Sequence, residues 1–223
     1  MTVPSLNSIK KLITDNFKNC KVSIEDNLLL LKGNRINDIF QFLKSNEKLS
    51  FDTLIDIIAI DYLEYGEYEW ETRKSNNGYS RGYSNSSSFR KKFNDLDNNH
   101  NTSSNRFAVI YQLLSTANNT RLGVKVICEN NSNPHLDSVC SIWSSANWYE
   151  REAYDLFGIY FSGHPDLRRL LTDYGFVGHP LRKDFPLVGN SEVSYDIEKD
   201  RVVQKPVSIE PRVLVPKVIR EGD

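Results

Sequence analysis

Apolar residues near the start of the chain fall three and four positions apart, so that Leu6, Ile9, Leu12, Ile13 and Phe17 share one face of a helix. The same spacing returns at Ile36, Ile39, Phe40 and Leu43, with Asn34 placed to cap a second helix. Between them, Lys21 to Ile24 and Leu28 to Leu31 flank the turn signal Glu25-Asp26-Asn27, which predicts a short strand or hairpin. From Phe51 to Tyr62, and again from Phe107 to Leu114, apolar residues occupy both alternating faces, as in strands near the middle of a sheet. Leu122, Val124, Val126 and Cys128 alternate with Gly123, Lys125, Ile127 and Glu129, which predicts a strand with one wetter face. Asn118-Asn119-Thr120 suits an antiparallel hairpin before it. Together these elements predict an α+β fold, a mixed or antiparallel sheet with helices packed on it, over residues 1–146.

Two segments break the pattern. From Glu71 to Asn105, 16 of 35 residues are Asn or Ser, too little apolar surface to offset the entropy of ordering, and this reads as an insertion. Its Arg73, Lys74, Arg81, Arg90, Lys91 and Lys92 outnumber its acids and lie among Tyr79, Tyr83, Phe89 and Phe93. Such a loop could touch RNA, but nothing in the sequence positions the rings, and a solvated insertion is favoured. Beyond Pro186, Pro206, Pro211 and Pro216 recur among Val, Ile and Leu, which rules out a helix and predicts an extended C-terminal tail or edge strand over 188–223. Its apolar residues call for a partner surface.

Asn147-Trp148-Tyr149-Glu150 has the capping-box arrangement, and Gly158 supplies a left-handed C-cap, so a helix of about ten residues is predicted there. Arg151 and Asp155 are spaced to pair at i,i+4. On spacing alone this is a capped, charged surface helix, opening a block over 147–187. That block interleaves Glu150, Glu152, Asp155, Asp166, Asp173 and Asp184 with Arg151, Arg168, Arg169, Arg182 and Lys183 among aromatic residues. Matched carboxylates and guanidinium forks beside aromatic anchors are the composition of a specific protein interface, and a nucleic-acid site would not carry so many acids.

Composition narrows the function. A net charge of -1 over 223 residues gives no reason to expect a polyanionic partner. The most apolar stretch, Leu54 to Ile60, is short and contains Asp56, so no membrane-spanning helix is expected. Met1 to Leu6 shows no signal or presequence pattern. Cys20, Cys128 and Cys140 are too few and scattered for a disulfide framework, and reduced thiols are expected. Without a C-x-x-C pair they cannot supply the usual ligands of an iron-sulfur cluster. No Gly-rich nucleotide turn and no G-x-S-x-G elbow is present. His164 and His179, each followed by Pro, could be drawn with Asp166 and Asp184 as a metal site, but loop histidines bonded to backbone carbonyls are the simpler reading.

The order of residues carries more than their spacing. The string from Glu150 to Phe157, then His164-Pro165-Asp166-Leu167-Arg168-Arg169-Leu170-Leu171, then Thr172 to Leu187 and Arg201-Val202-Val203, resembles the signature of the thirty-kilodalton subunit family of respiratory complex I, the proton-translocating NADH:ubiquinone oxidoreductase. The resemblance implies a core structural subunit of the peripheral arm, with no catalytic, cofactor or metal site of its own. NADH, FMN, iron-sulfur clusters and quinone would belong to neighbours, above all the large quinone-site subunit beside it. It further implies that Glu150, Arg151, Glu152, Asp155, His164, Arg168, Arg169, Arg182 and Asp184 serve contacts between subunits. Abundant Asn, Ile, Lys and Tyr suggest an AT-rich genome, and so the matrix side of a mitochondrial inner membrane, with the cytoplasmic face of a bacterial plasma membrane as the alternative. The equivalent subunit of a related membrane-bound hydrogenase and a free-standing RNA-binding module are the competing readings.

Overall fold

The computed structural model describes residues 5–17, 20–32, 36–63, 65, 106–186 and 191–208, and the structural statements below concern these. Two compact units are present, Met1–Lys183 and Asp184–Asp223. The first runs α1 (Leu6–Asn16), β1 (Lys21–Glu25), β2 (Leu28–Lys32), α2 (Ile36–Ser45), β3 (Thr53–Asp61), β4 (Phe107–Ser115), β5 (Thr120–Ile127), β6 (His135–Asp137), α3 (Ala146–Phe157) and β7 (Tyr160–Ser162). Five strands form a mixed sheet in the order β1-β2-β5-β4-β3, with β2 and β5 parallel and the other neighbours antiparallel. The predicted α+β class and both hairpins are observed. Asp26 and Asn27 both have positive φ, 49° and 63°, the backbone that a two-residue turn between twisted strands requires.

Register explains the hydrophobic pattern. Tyr111 lies opposite both Ile57 and Val124, and Leu29 opposite Val124, so the buried set Leu29, Ile57, Val109, Tyr111, Leu113, Leu122, Val124 and Val126 points to one face. Ile9 and Ile13 of α1 and Ile39, Phe40 and Leu43 of α2 join this same core. Phe40 is its hub: its ring lies 4.7 Å from that of Tyr111 and 5.6 Å, edge on, from that of Trp143. On the opposite face Ala108 and Leu30 are still buried, whereas Ile58 is exposed, so β4 is covered on both sides and β3 on one.

The segment after β5 forms a small parallel β-α-β unit, with β6 and β7 paired and α3 crossing between them. Ala146, Ala153, Ile159 and Phe161 bring it into the common core. Residues 1–146 and α3 thus share one core, since α3 completes what the sheet begins. The expected tail differs. Residues 191–206 form an antiparallel hairpin, β8 (Ser191–Asp196) and β9 (Arg201–Pro206), with Pro206 at the strand end where no ladder donor is needed. Pro211 and Pro216, the insertion 71–105 and the cap assigned to Asn34 lie outside the described residues.

Replacing Phe40 by Ala removes a fully buried ring from between two aromatic neighbours, and should cost about 3–5 kcal/mol. The shift in urea midpoint at unchanged slope measures it.

Candidate functional site

Helix α3 spans twelve residues and does not begin as predicted. Its N-cap is Ser145, in helical conformation and without a side-chain cap bond, since its hydroxyl donates to the Leu54 carbonyl at 3.4 Å. Glu150 is no capping-box partner. It stands on the same helix face as Ala146 and Ala153, and that face is the buried one. Its Oε1 accepts the Val139 N–H at 2.7 Å, and its Oε2 accepts the Ser138 hydroxyl at 2.7 Å and the Cys140 thiol at 3.4 Å. Burial raises its pKa, and those hydrogen bonds offset part of the rise.

Asp155 does not pair with Arg151 as expected. Its buried Oδ2 accepts three consecutive backbone N–H groups, Leu170 at 3.0 Å, Leu171 at 2.7 Å and Thr172 at 2.9 Å, and Oδ1 accepts the Thr172 hydroxyl at 2.6 Å. Burial works to raise this carboxyl, but the Thr172, Leu171 and Leu170 bonds outweigh it and hold the pKa below its ordinary value. Arg169 adds its charge at 3.6 Å and donates to the Gly178 carbonyl at 2.9 Å. Arg151 instead donates to the Arg168 carbonyl at 3.1 Å.

The last carbonyls of α3, orphaned in any helix, are taken by the same loop. His179 Nδ1 donates to the Asp155 carbonyl at 2.8 Å, the Leu181 N–H to Leu156 at 3.0 Å, and Arg182 Nε to Phe157 at 2.6 Å. Burial, with the nearby Arg182 and Arg169 charges, pushes the His179 pKa down, so its imidazole serves as a neutral donor. Gly158 turns the chain at φ 72°, and a Cβ there would sit 2.6 Å from both His179 and Arg182. The loop's far end is pinned by Asp61 on β3, which accepts the Lys183 N–H at 2.9 Å and holds Arg106 with both oxygens at 2.8 and 2.7 Å.

Both signature histidines bond backbone carbonyls. His164 Nε2 meets the Asn147 carbonyl at 3.2 Å while its Nδ1 accepts the Asp166 N–H at 3.0 Å. Cys140, Glu150 and His164 do gather ligand atoms within 4.8 Å of one another. These atoms suit a metal poorly: the free lone pair of His164 is committed to Asp166, and burial pushes the Cys140 thiol up to about 11.

Of the nine predicted interface residues, Glu150 and Asp155 are buried inside the chain, where they bond the segments before and after α3. Arg151, His164, Arg169 and Arg182 are half-buried and bonded within the loop or to the helix. Glu152, Arg168 and Asp184 are exposed. The loop also presents Leu171, Tyr174, Val177 and Leu181 to solvent, which charge patterning passed over. Their sequence signal is a set of large apolar residues three and four apart, a helical spacing, in a segment where Gly175, Gly178 and Pro180 stand against a helix.

Residues 29–191 match the family model described as respiratory-chain NADH dehydrogenase, 30 Kd subunit. An NADH-quinone oxidoreductase subunit from Hydrogenovibrio crunogenus is 58% identical over 178 residues, 79% of this chain and 77% of the relative. Its counterpart from Coxiella burnetii is 52% identical over 179 residues, 80% of this chain and 75% of the relative. Among solved structures, a chain of the membrane-bound sulfane sulfur reductase, an archaeal respiratory membrane complex, aligns with a TM-score of 0.52 at 19% identity, covering 82% of this chain and 86% of that one. That last likeness concerns the fold alone.

Asp155→Asn should destabilise the protein by about 2–3 kcal/mol at neutral pH, because one amide oxygen replaces a carboxylate serving four donors. Since the folded pKa of Asp155 is depressed, its contribution is full above about pH 4 and is lost as pH falls through the folded value. The gap between wild type and variant in urea unfolding should therefore narrow on acidification, and the amides of Leu170 to Thr172 should lose exchange protection in the variant at neutral pH.

Proposed function

Because the chain belongs to the family of the thirty-kilodalton subunit of respiratory-chain NADH dehydrogenase, we propose that it works by docking, presenting a pre-shaped loop to neighbouring subunits. It is a subunit of NADH-quinone oxidoreductase in the peripheral arm of complex I, and other subunits of that complex are its partners. The observation that carries the docking reading is the loop from Asp166 to Lys183. Its backbone is held from inside by α3 and Asp61, while Leu171, Tyr174, Val177 and Leu181 are left facing outward. A surface loop rigidified in this way and carrying exposed aromatic and aliphatic anchors has the makings of an interface hot spot.

The neighbour we assign to this loop is the large quinone-site subunit. Electron carriers, namely NADH, FMN, iron-sulfur clusters and quinone, then reside on other subunits, and this chain fixes the geometry between them. The thiols support that division: burial pushes Cys128 up to about 12 and Cys140 up to about 11, so neither offers a thiolate readily. No helix among the described residues is long and apolar enough to cross a membrane, which fits attachment through partners. The bacterial relatives support the cytoplasmic face of a plasma membrane over the mitochondrial matrix. Relatives at 52–58% identity also favour the NADH-quinone enzyme over a related hydrogenase, and the six acids interleaved with five bases over 147–187 favour a protein partner over RNA.

Arg168 tests this cleanly. Its side chain is 75% exposed and pairs with Asp166 at 2.7 Å, a surface pair that contributes little to folding. Arg168→Ala should leave thermal unfolding unchanged. Both it and Asp184→Ala should lower the amount of assembled complex several-fold, read on native gels of solubilised membranes by in-gel NADH oxidation and mass spectrometry of the band. Normal assembly of both variants would count against docking through these residues, and migration of the wild-type chain as a free protein would overturn the reading itself.

A further inference from the structure

The C-terminal hairpin leaves most of its large apolar side chains exposed on one face. Its register sets Val193 opposite Gln204 and Tyr195 opposite Val202 on one face, with Glu192 opposite Lys205 and Asp196 opposite Arg201 on the other. In an ordinary surface hairpin the first face would be buried and the second wet. Here Val193, Tyr195 and Val202 are 52%, 58% and 63% exposed, and Ile197 at the start of the turn is 86% exposed, whereas Glu192, Ser194 and Asp196 are half-buried. A two-stranded ribbon is marginal in water unless its apolar face is covered.

We propose that this face is a second foothold on the protein partner engaged by the Asp166–Lys183 loop, seated on an uncharged, apolar surface of a subunit of the same oxidoreductase. The inference rests on the docking function proposed above. Charge argues for an apolar partner. Over 191–206 four acids, Glu192, Asp196, Glu198 and Asp200, stand beside three bases, Lys199, Arg201 and Lys205, with Glu192 opposite Lys205 and Asp196 paired to Lys199 at 3.6 Å, so the slight acidic excess gives an anionic membrane nothing to attract and a charged surface little to recognise. Area argues against a second copy. Four such side chains present on the order of 400 Å2 of apolar surface, about half of what each partner contributes to a stable interface of standard size. Alone, the face could not sustain a dimer. Linked in sequence to a loop already docked, it binds at the high effective concentration that the connecting chain imposes, and a small patch then suffices.

A photo-crosslinking phenylalanine analogue placed at position 195, and separately at 192, in the full chain within the membrane complex tests this. Position 195 should crosslink to one identified subunit of the complex at about ten-fold the yield of position 192. Adducts to a second copy of this chain, adducts to lipid, or equal yields from the two positions would overturn the proposal. In parallel, the triple replacement Val193→Thr, Tyr195→Thr and Val202→Thr keeps strand propensity while removing the apolar face. It should be lost from the purified complex about ten-fold faster than wild type during dilution. An unchanged rate of loss while the wild-type chain still co-migrates with NADH-oxidising activity would overturn the hairpin foothold and leave the docking function standing. Failure of wild type to co-migrate would instead remove the premise of both.

Discussion

The stretch from His164 to Lys183 contains no helix and no strand, so its shape depends on where its backbone groups find partners. Asp155 answers for the first half by gathering three successive N–H groups onto one carboxylate oxygen. The carbonyls at the end of the same helix answer for the second half by accepting from His179, Leu181 and Arg182. One short helix therefore satisfies its own C-terminal orphans with the loop that it organises, and a buried charge is tolerated because every oxygen has donors. Asp61 closes the circuit by tying Lys183 and Arg106 to the last residue of β3.

Two acids on one helix meet opposite fates. Glu150 faces the core, and although the Ser138 hydroxyl, the Val139 N–H and the Cys140 thiol reach it, desolvation prevails and its pKa rises. Asp155 has four close donors and a guanidinium beyond them, and there hydrogen bonding prevails over burial. Both couple α3 to a neighbouring loop, Glu150 to the turn before the helix and Asp155 to the segment after it. The opposite shifts mean that acidification weakens the second attachment without the same demand on the first.

Local periodicity made the fold legible. Strand alternation, the Asp26-Asn27 turn and Gly158 each depend on a few adjacent residues, and the structure follows them. Glu150 and Asp155 were misread because a helix's charge spacing says nothing about which face the fold will cover. Arg151 and Asp155 stand four apart, yet each found a better partner about seventeen residues away. The capping box failed for a similar reason, since Glu150 is drawn into the core by the Ser138 hydroxyl, the Val139 N–H and the Cys140 thiol, contacts without any local signal. The hairpin was hidden behind the spacing of prolines, although Asp196 to Asp200 carried turn residues between two alternating runs.

Of the eleven charged residues over 147–187, Glu150, Arg151, Asp155, Arg169 and Arg182 are buried or half-buried and hold the loops before and after α3, while the other six are exposed. Arg169, His179 and Arg182 spend their donors on backbone carbonyls of the same chain, and Leu171, Tyr174, Val177 and Leu181 stand among the outward positions. Association costs conformational entropy for every segment ordered at the moment of binding. A loop already fixed by some ten internal hydrogen bonds has met that cost during folding, when the same bonds also stabilised the fold. Its exposed apolar groups can then be translated into affinity at nearly full value. Charged residues just beneath the surface thus set the shape of the loop, and the apolar residues above them are held exposed on a backbone already fixed.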